Sequence, residues 1–215
     1  MAPSPVTYAL KELYLTLQGE GAQTGHRAVF LRFTGCNLWS GREADRATAQ
    51  CRFCDTDFIG TDGPGGGRFH SPNALADAVE STWGAVPAHR LVVITGGEPM
   101  LQLDPPLIDA LHARAFRIAV ESNGTLPAPP GIDWLTISPK AGTKVVQRHG
   151  HELKLVHPQP GLDPSDVAAW DFPVRYLQPM DGPDQAANIA AATAYCLAHP
   201  GWRLSLQTHK LIGLP

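Results

Sequence analysis

Apolar positions fall into short runs separated by glycine and proline, and several runs lead into segments with helical spacing. Residues 8–17 and 28–33 read as two β-strands able to pair as the opening of a sheet. Ser71-Pro72 offers an N-cap followed by proline in the first turn, after which Leu75, Val79 and Trp83 recur at helical spacing. Residues 91–95 form an unbroken apolar, β-rich run, the pattern of a strand covered on both faces, and the run ends at Gly96-Gly97. Further on, the pattern predicts a helix over 106–114 and strands over 117–121, 134–137, 152–156 and 174–177. A last helix, at about 183–198, precedes a strand over 203–207 and an apolar tail ending at Pro215.

Repeated βα units in one sheet imply parallel strands joined by right-handed crossovers. A complete eight-unit barrel takes ~250 residues, and this chain has 215. The expected fold is therefore α/β, a partial TIM-like β/α barrel with a mostly parallel sheet and some helices reduced to loops, in a single domain spanning 1–215. Chemistry in such sheets gathers at the C-terminal ends of the strands. The polar motifs at 35–37, 95–99, 121–125, 138–140 and 178–181 all follow predicted strands.

Composition narrows the picture. At 43% hydrophobic the chain can bury one substantial core. The net charge of -3, with no run of like charges, argues against nucleic acid as a partner. No apolar stretch approaches the ~20 residues of a membrane span, and residues 1–5 lack the basic and apolar regions of a secretory signal, so a cytoplasmic protein without a membrane partner is expected. Three of the four cysteines, Cys36, Cys51 and Cys54, crowd together while Cys196 lies far away. In a reducing compartment that clustering points to a metal centre.

Three soft ligands leave the nature of the centre open. Structural zinc wants four protein ligands, and the nearest histidines, His26 and His70, fall outside any zinc-finger spacing. An iron–sulfur cube held by three cysteines leaves one iron free to bind a small molecule. No serine, histidine and acid arrangement suggests hydrolysis, and no GxxxxGK[ST] phosphate loop is present.

The neighbouring motifs favour the cube. Phe53 precedes the third cysteine, the cysteines follow an early strand, and a later strand ends in Gly96-Gly97-Glu98-Pro99. In these respects the chain resembles the radical S-adenosylmethionine enzymes. Fourteen residues separate Cys36 from Cys51, where that superfamily usually has three. From about Leu10 to its last residue the chain resembles the 7-carboxy-7-deazaguanine synthase family, whose members vary in this loop.

That resemblance implies a radical SAM type of barrel with an expanded cluster-binding loop at about 36–60. It also implies a [4Fe–4S] cluster on Cys36, Cys51 and Cys54, with S-adenosyl-L-methionine and Mg2+ as further cofactors. In the family, reductive cleavage of S-adenosylmethionine yields a 5′-deoxyadenosyl radical that takes hydrogen from C6 of 6-carboxy-5,6,7,8-tetrahydropterin. Ring contraction and loss of ammonia then give 7-carboxy-7-deazaguanine, on the way to queuosine and other 7-deazapurines. The expected partners are the pterin substrate, an external, flavodoxin-like one-electron reductant, and a second copy of the chain in a homodimer.

Residue roles follow the matched motifs. For S-adenosylmethionine the resemblance implies Phe53, Cys54 and Asp55 beside the cluster, then Gly97 and Glu98, where glycine lets the backbone approach and a carboxylate offers charge to an ammonium. Ser138, Pro139 and Lys140 on one strand end, and Gln178, Pro179, Met180 and Asp181 on another, complete that site. For the pterin it implies Leu17, Gln18, Gly19 and Glu20, together with Thr95, His209 and the α-carboxylate of Pro215. Arg32 is assigned to the substrate carboxylate, which its planar fork matches and a lysine would not. Thr56 approaches the magnesium ion, a hard cation that prefers oxygen and retains waters. Whether Glu20, Asp57 and Glu121 act in the site or only in the fold stays open. A glycyl-radical activase would lack the pterin-pocket residues Gln18, Glu20 and Arg32, and a structural zinc module remains a more distant alternative.

Overall fold

The structure, a computed structural model, describes residues 7–215. Strands β1 (Tyr8–Leu17) and β2 (Arg27–Phe33) pair antiparallel, and β3 (Gly67–Phe69) adds to the outer side of β1. From β2 onward every pairing is parallel, through β4 (Leu91–Gly96), β5 (Arg117–Ser122), β6 (Trp134–Ile137), β7 (Glu152–His157), β8 (Val174–Pro179) and β9 (Arg203–Leu204). The order β3-β1-β2-β4-β5-β6-β7-β8-β9 leaves β3 and β9 as the two edges of an open sheet.

Helices α1 (Pro72–Trp83), α2 (Pro105–His112) and α3 (Gln185–Ala198) follow β3, β4 and β8, and the short α4 (Thr208–Ile212) follows β9. Between β5 and β8 the crossovers contain no α-helix, so the partial barrel predicted from chain length is what forms. Ser71 accepts a hydrogen bond from Ala74 N and Asp104 one from Leu107 N, and a proline stands in the first turn of both α1 and α2. These caps satisfy amide donors that the helix cannot.

Strand side chains alternate between faces. On one face Val92 and Ile94 of β4 join Leu75, Val79 and Trp83 of α1 and Leu107 and Leu111 of α2 in the main core. Each of these side chains is essentially fully buried, which stabilises the fold by about 1.5–3 kcal/mol per residue. On the other face Leu91 and Val93 meet Ala28 and Ala119 in a small second cluster. Further along the same strand faces come Arg32, Thr95, Glu121 and Lys154, so apolar side chains close the base of a cavity and polar ones line its upper part.

Four departures from the sequence expectation have local causes. Strand β3 is three residues long, too short to carry a period. Residues 182–184 form a turn instead of helix, with Gln185 N donating to Gly182 O, so α3 starts at Gln185. Helix α2 ends at His112, and Ala115 at φ 57 turns the chain toward β5. The predicted strand over 203–207 stops at Leu204, and the expected tail contains α4, which turns back over the start of the chain through Thr208 N donating to Gly19 O at 3.0 Å. Among the described residues, no helix is long and apolar enough to cross a membrane.

Candidate active site

A cavity of about 400 Å³ opens at the C-terminal ends of the parallel strands. The cysteines form one wall. Cys36 follows β2 through Gly35, whose φ of 87° suits glycine. The ends of β2 and β4 are locked together by Glu98 N donating to Gly35 O at 2.9 Å. A Cβ on Gly97 would stand 2.3 Å from Gly35 O and 2.6 Å from Cys36 Cβ, so only glycine fits there. Cys51 and Cys54 lie on the same wall, and none of the three cysteines is in a disulfide.

The thiols differ in acidity. A hydrogen bond from Cys51 lowers the Cys54 pKa to about 6 against the opposing effect of burial. The same hydrogen bond and burial push Cys51 well up, and burial also raises Cys36. Half-buried Lys140 donates to Ser138 O at 2.6 Å and Ser138 Oγ at 2.8 Å. Burial lowers its pKa, while the charges of Cys51 and Cys54 work in the other direction.

Another part of the lining is a connected polar network. Lys154, on the buried strand β7, pairs with Glu20 and, at 2.7 Å, with Glu121. Gln18 Nε2 donates to the second Glu121 oxygen at 2.9 Å, and Gln207 Nε2 donates to the second Glu20 oxygen at 3.0 Å. Burial would raise the Glu20 carboxyl, but the Lys154 charge and the two donors overcome it and hold the group below its ordinary value. Gly19 is required beneath α4, because a Cβ there would lie 2.1 Å from His209 Nδ1. Burial lowers the His209 pKa, leaving a neutral imidazole at pH 7 that can donate and accept.

Arg32 borders the cavity with its Nε donating to Glu12 Oε1 at 2.6 Å and the Tyr14 hydroxyl hydrogen-bonded to the same guanidinium. At the mouth, Lys210 Nζ bridges Asp55 at 2.7 Å and Asp181 at 2.6 Å. Asp57 is exposed and pairs with Lys11 at 2.8 Å. Thr16 Oγ1 donates to Pro215 O at 3.3 Å, bringing the last residue to the rim.

The cavity gathers nearly all residues to which the resemblance gave roles: the three cysteines, Phe53, Asp55, Thr56, Thr95, Gly97, Ser138, Lys140, 178–181, 17–20, Arg32, His209 and Pro215. Glu98 and Pro139 are not brought to its surface. Glu98 is fully buried and accepts from Met100 N, Ser122 Oγ and Asn123 N, so its carboxylate caps a turn and ties β4 to β5. Pro139 is buried with its carbonyl accepting from Gln159. Among the described residues, no group of His, Cys, Asp and Glu closes around a single metal ion. Thiolates of an iron–sulfur cube each bind a different iron, so three free thiols on one wall fit that centre better than a one-ion site. Sequence reasoning missed Lys154, Glu12 and Gln207. The available signal for Lys154 was a lysine in the otherwise apolar run Leu153 to Val156.

No family model matches the chain. It is 63% identical over 210 residues to a 7-carboxy-7-deazaguanine synthase of Caulobacter vibrioides, covering 98% of this chain and 100% of the relative. It is 60% identical over 210 residues to that of Bordetella pertussis, with the same coverage. Among solved structures it superimposes on the crystal structure of QueE from Escherichia coli with a TM-score of 0.71 and 27% identity, over 93% of each chain. At these identities and coverages, the chain belongs to the 7-carboxy-7-deazaguanine synthase family.

Proposed function

We propose that the protein is a carbon–nitrogen lyase of queuosine biosynthesis that converts 6-carboxy-5,6,7,8-tetrahydropterin to 7-carboxy-7-deazaguanine with loss of ammonia. The observation that carries this reading is the gathering in one cavity of three cysteines outside any disulfide and a hydrogen-bonded set of acids, amides and one arginine. Cys36, Cys51 and Cys54 would hold a [4Fe–4S] cluster. When bound, the cluster and S-adenosyl-L-methionine supply radical chemistry, with electrons from an external one-electron donor. The chain's own residues bind, orient and exclude water.

Glu20, held ionised by Lys154, and Glu121 beside it offer acceptors to the donor edge of a pterin, and Gln18 and His209 can serve as donor or acceptor. The planar guanidinium of Arg32, which borders the cavity, suits the substrate carboxylate. Thr56 would supply an oxygen to a magnesium ion, a hard cation that prefers such ligands. Gly97 gives the cofactor backbone to lie against, and Ser138, Lys140 and Gln178 border the same space. A homodimer in the cytoplasm is the expected assembly.

Anaerobic reconstitution with iron and sulfide tests the reading. Broad charge-transfer absorption, cleavage of S-adenosylmethionine under reduction and appearance of 7-carboxy-7-deazaguanine by mass spectrometry are expected. A colourless protein with stoichiometric zinc would overturn it.

A further inference from the structure

The fourteen residues between Cys36 and Cys51 fold into a compact unit. Leu38 O accepts from Gln50 N at 3.1 Å and Cys51 N at 3.3 Å, closing the segment at its base. Within it, a 3-10 helix over Glu43–Thr48 carries Arg46. The Arg46 guanidinium stacks over the Trp39 ring at 4.1 Å, and that indole is buried edge-on against Phe58 at 5.6 Å. Arg46 Nε meets both carboxylate oxygens of Glu43 at 2.8 Å. Its Nη1 leaves the segment and donates to Arg52 O at 2.9 Å and Cys54 O at 3.0 Å.

Those two carbonyls belong to residues 51–58, which are neither helix nor strand and so have no ladder to fix them. Arg46 bonds the carbonyl of Cys54 and that of Arg52, which directly follows Cys51. We propose that Arg46 is a positioning residue for the metal centre: the long insertion delivers a guanidinium that fixes the Cys51–Cys54 turn in the conformation that holds iron. Its bond to exposed Glu43 is a surface pair of small weight. The effect resides in the plane stacked on Trp39, which holds Nη1 where it reaches both carbonyls and which lysine, with no plane to stack, cannot reproduce.

This inference rests on the iron–sulfur reading above. The test uses the full chain, reconstituted anaerobically, as wild type, R46K, R46A and R148A. Arg148 is a comparable stacked arginine, over Trp170 at 5.3 Å and donating to Val145 O at 3.2 Å, that lines no part of the cavity. Iron release to a chelator is followed by absorbance, and thermal midpoints are taken on the apo-proteins, which have no cluster to lose. Both Arg46 variants should release iron about tenfold faster than wild type, as loss of a charge-assisted bond predicts. Their apo midpoints should stay within about 2 °C of wild type, and R148A should match wild type in both measurements. Wild-type release rates in R46K and R46A, equally fast release from R148A, or apo midpoints that fall in step with the rates would overturn the role of Arg46 and leave the cluster reading standing. Wild type that takes up no iron would instead overturn the cluster reading, and this inference with it.

Discussion

Lys154 Nζ, buried on β7, lies 2.7 Å from Glu121 Oε2 and makes its second ion pair with Glu20. One cation thus serves two carboxylates that would otherwise repel across the cavity floor. Removing it leaves buried charge without a partner, which costs about 3–5 kcal/mol in comparable sites. Lys154→Met should therefore lower stability by an amount of that order, measurable by urea denaturation, and weaken substrate binding more than cofactor binding.

The same triad sets a pH window. The Glu20 pKa is depressed in the folded protein, so its contribution is full above the ordinary carboxylate value and fades as pH falls through its lowered pKa. Burial would lower Lys154, but its acidic partners raise it, so its contribution is present below the ordinary lysine value and fades only as pH rises through the raised pKa. Wild-type substrate affinity should be flat between those limits. In Lys154→Met, burial would dominate and raise the Glu20 carboxyl, so affinity should acquire a dependence on pH in the weakly acidic range. A titration of KM against pH checks this, and a profile as flat as wild type would remove Lys154 from the site.

Cys36→Ala, Cys51→Ala and Cys54→Ala should each abolish iron incorporation. Cys196 packs half-buried against the main core on α3, so Cys196→Ala should keep its iron and lose only packing. Iron and sulfide analysis of the four variants separates ligands from the bystander.

Much of this arrangement could be read from sequence because the parallel strands announce themselves. The run over 91–94 is apolar throughout since Val92 and Ile94 face α1 and α2 while Leu91 and Val93 join Ala28 and Ala119 in the second cluster. The Gly-Gly step was legible for the same reason, since β4 must end against Gly35. The fate of Glu98 was not, because a strand-end carboxylate reads alike whether it points at a ligand or caps the next turn. Nor was the Lys154 triad, whose members come from the β1–β2 loop, β5 and β7, so only the fold brings them together.

Arg32→Lys keeps the charge and loses the planar fork. Substrate affinity should fall about tenfold, the scale of one charge-assisted bond, while reductive cleavage of S-adenosylmethionine without substrate persists. Calorimetric titration with substrate, set beside 5′-deoxyadenosine formation, distinguishes the two effects.

Thr56→Ala should weaken magnesium dependence and substrate binding together and leave the iron content unchanged. A C-terminal extension beyond Pro215 should raise KM with little effect on cofactor cleavage, since it moves the carboxylate from a rim fixed by Thr16. Equal KM for extended and native chains would show that the terminal carboxylate takes no part.

Helix α4 closes the mouth of the cavity with no buried residue of its own. Its anchors are polar: Thr208 on Gly19, Gln207 on Glu20, and Lys210 on Asp55 and Asp181. Lifting it would expose little apolar surface, so the motion should respond weakly to urea. The Lys210 pairs are only partly shielded from solvent and are screened by salt. Added salt, more than denaturant, should therefore loosen the hold on α4, so amide exchange in α4 should accelerate with ionic strength while exchange in β4 does not.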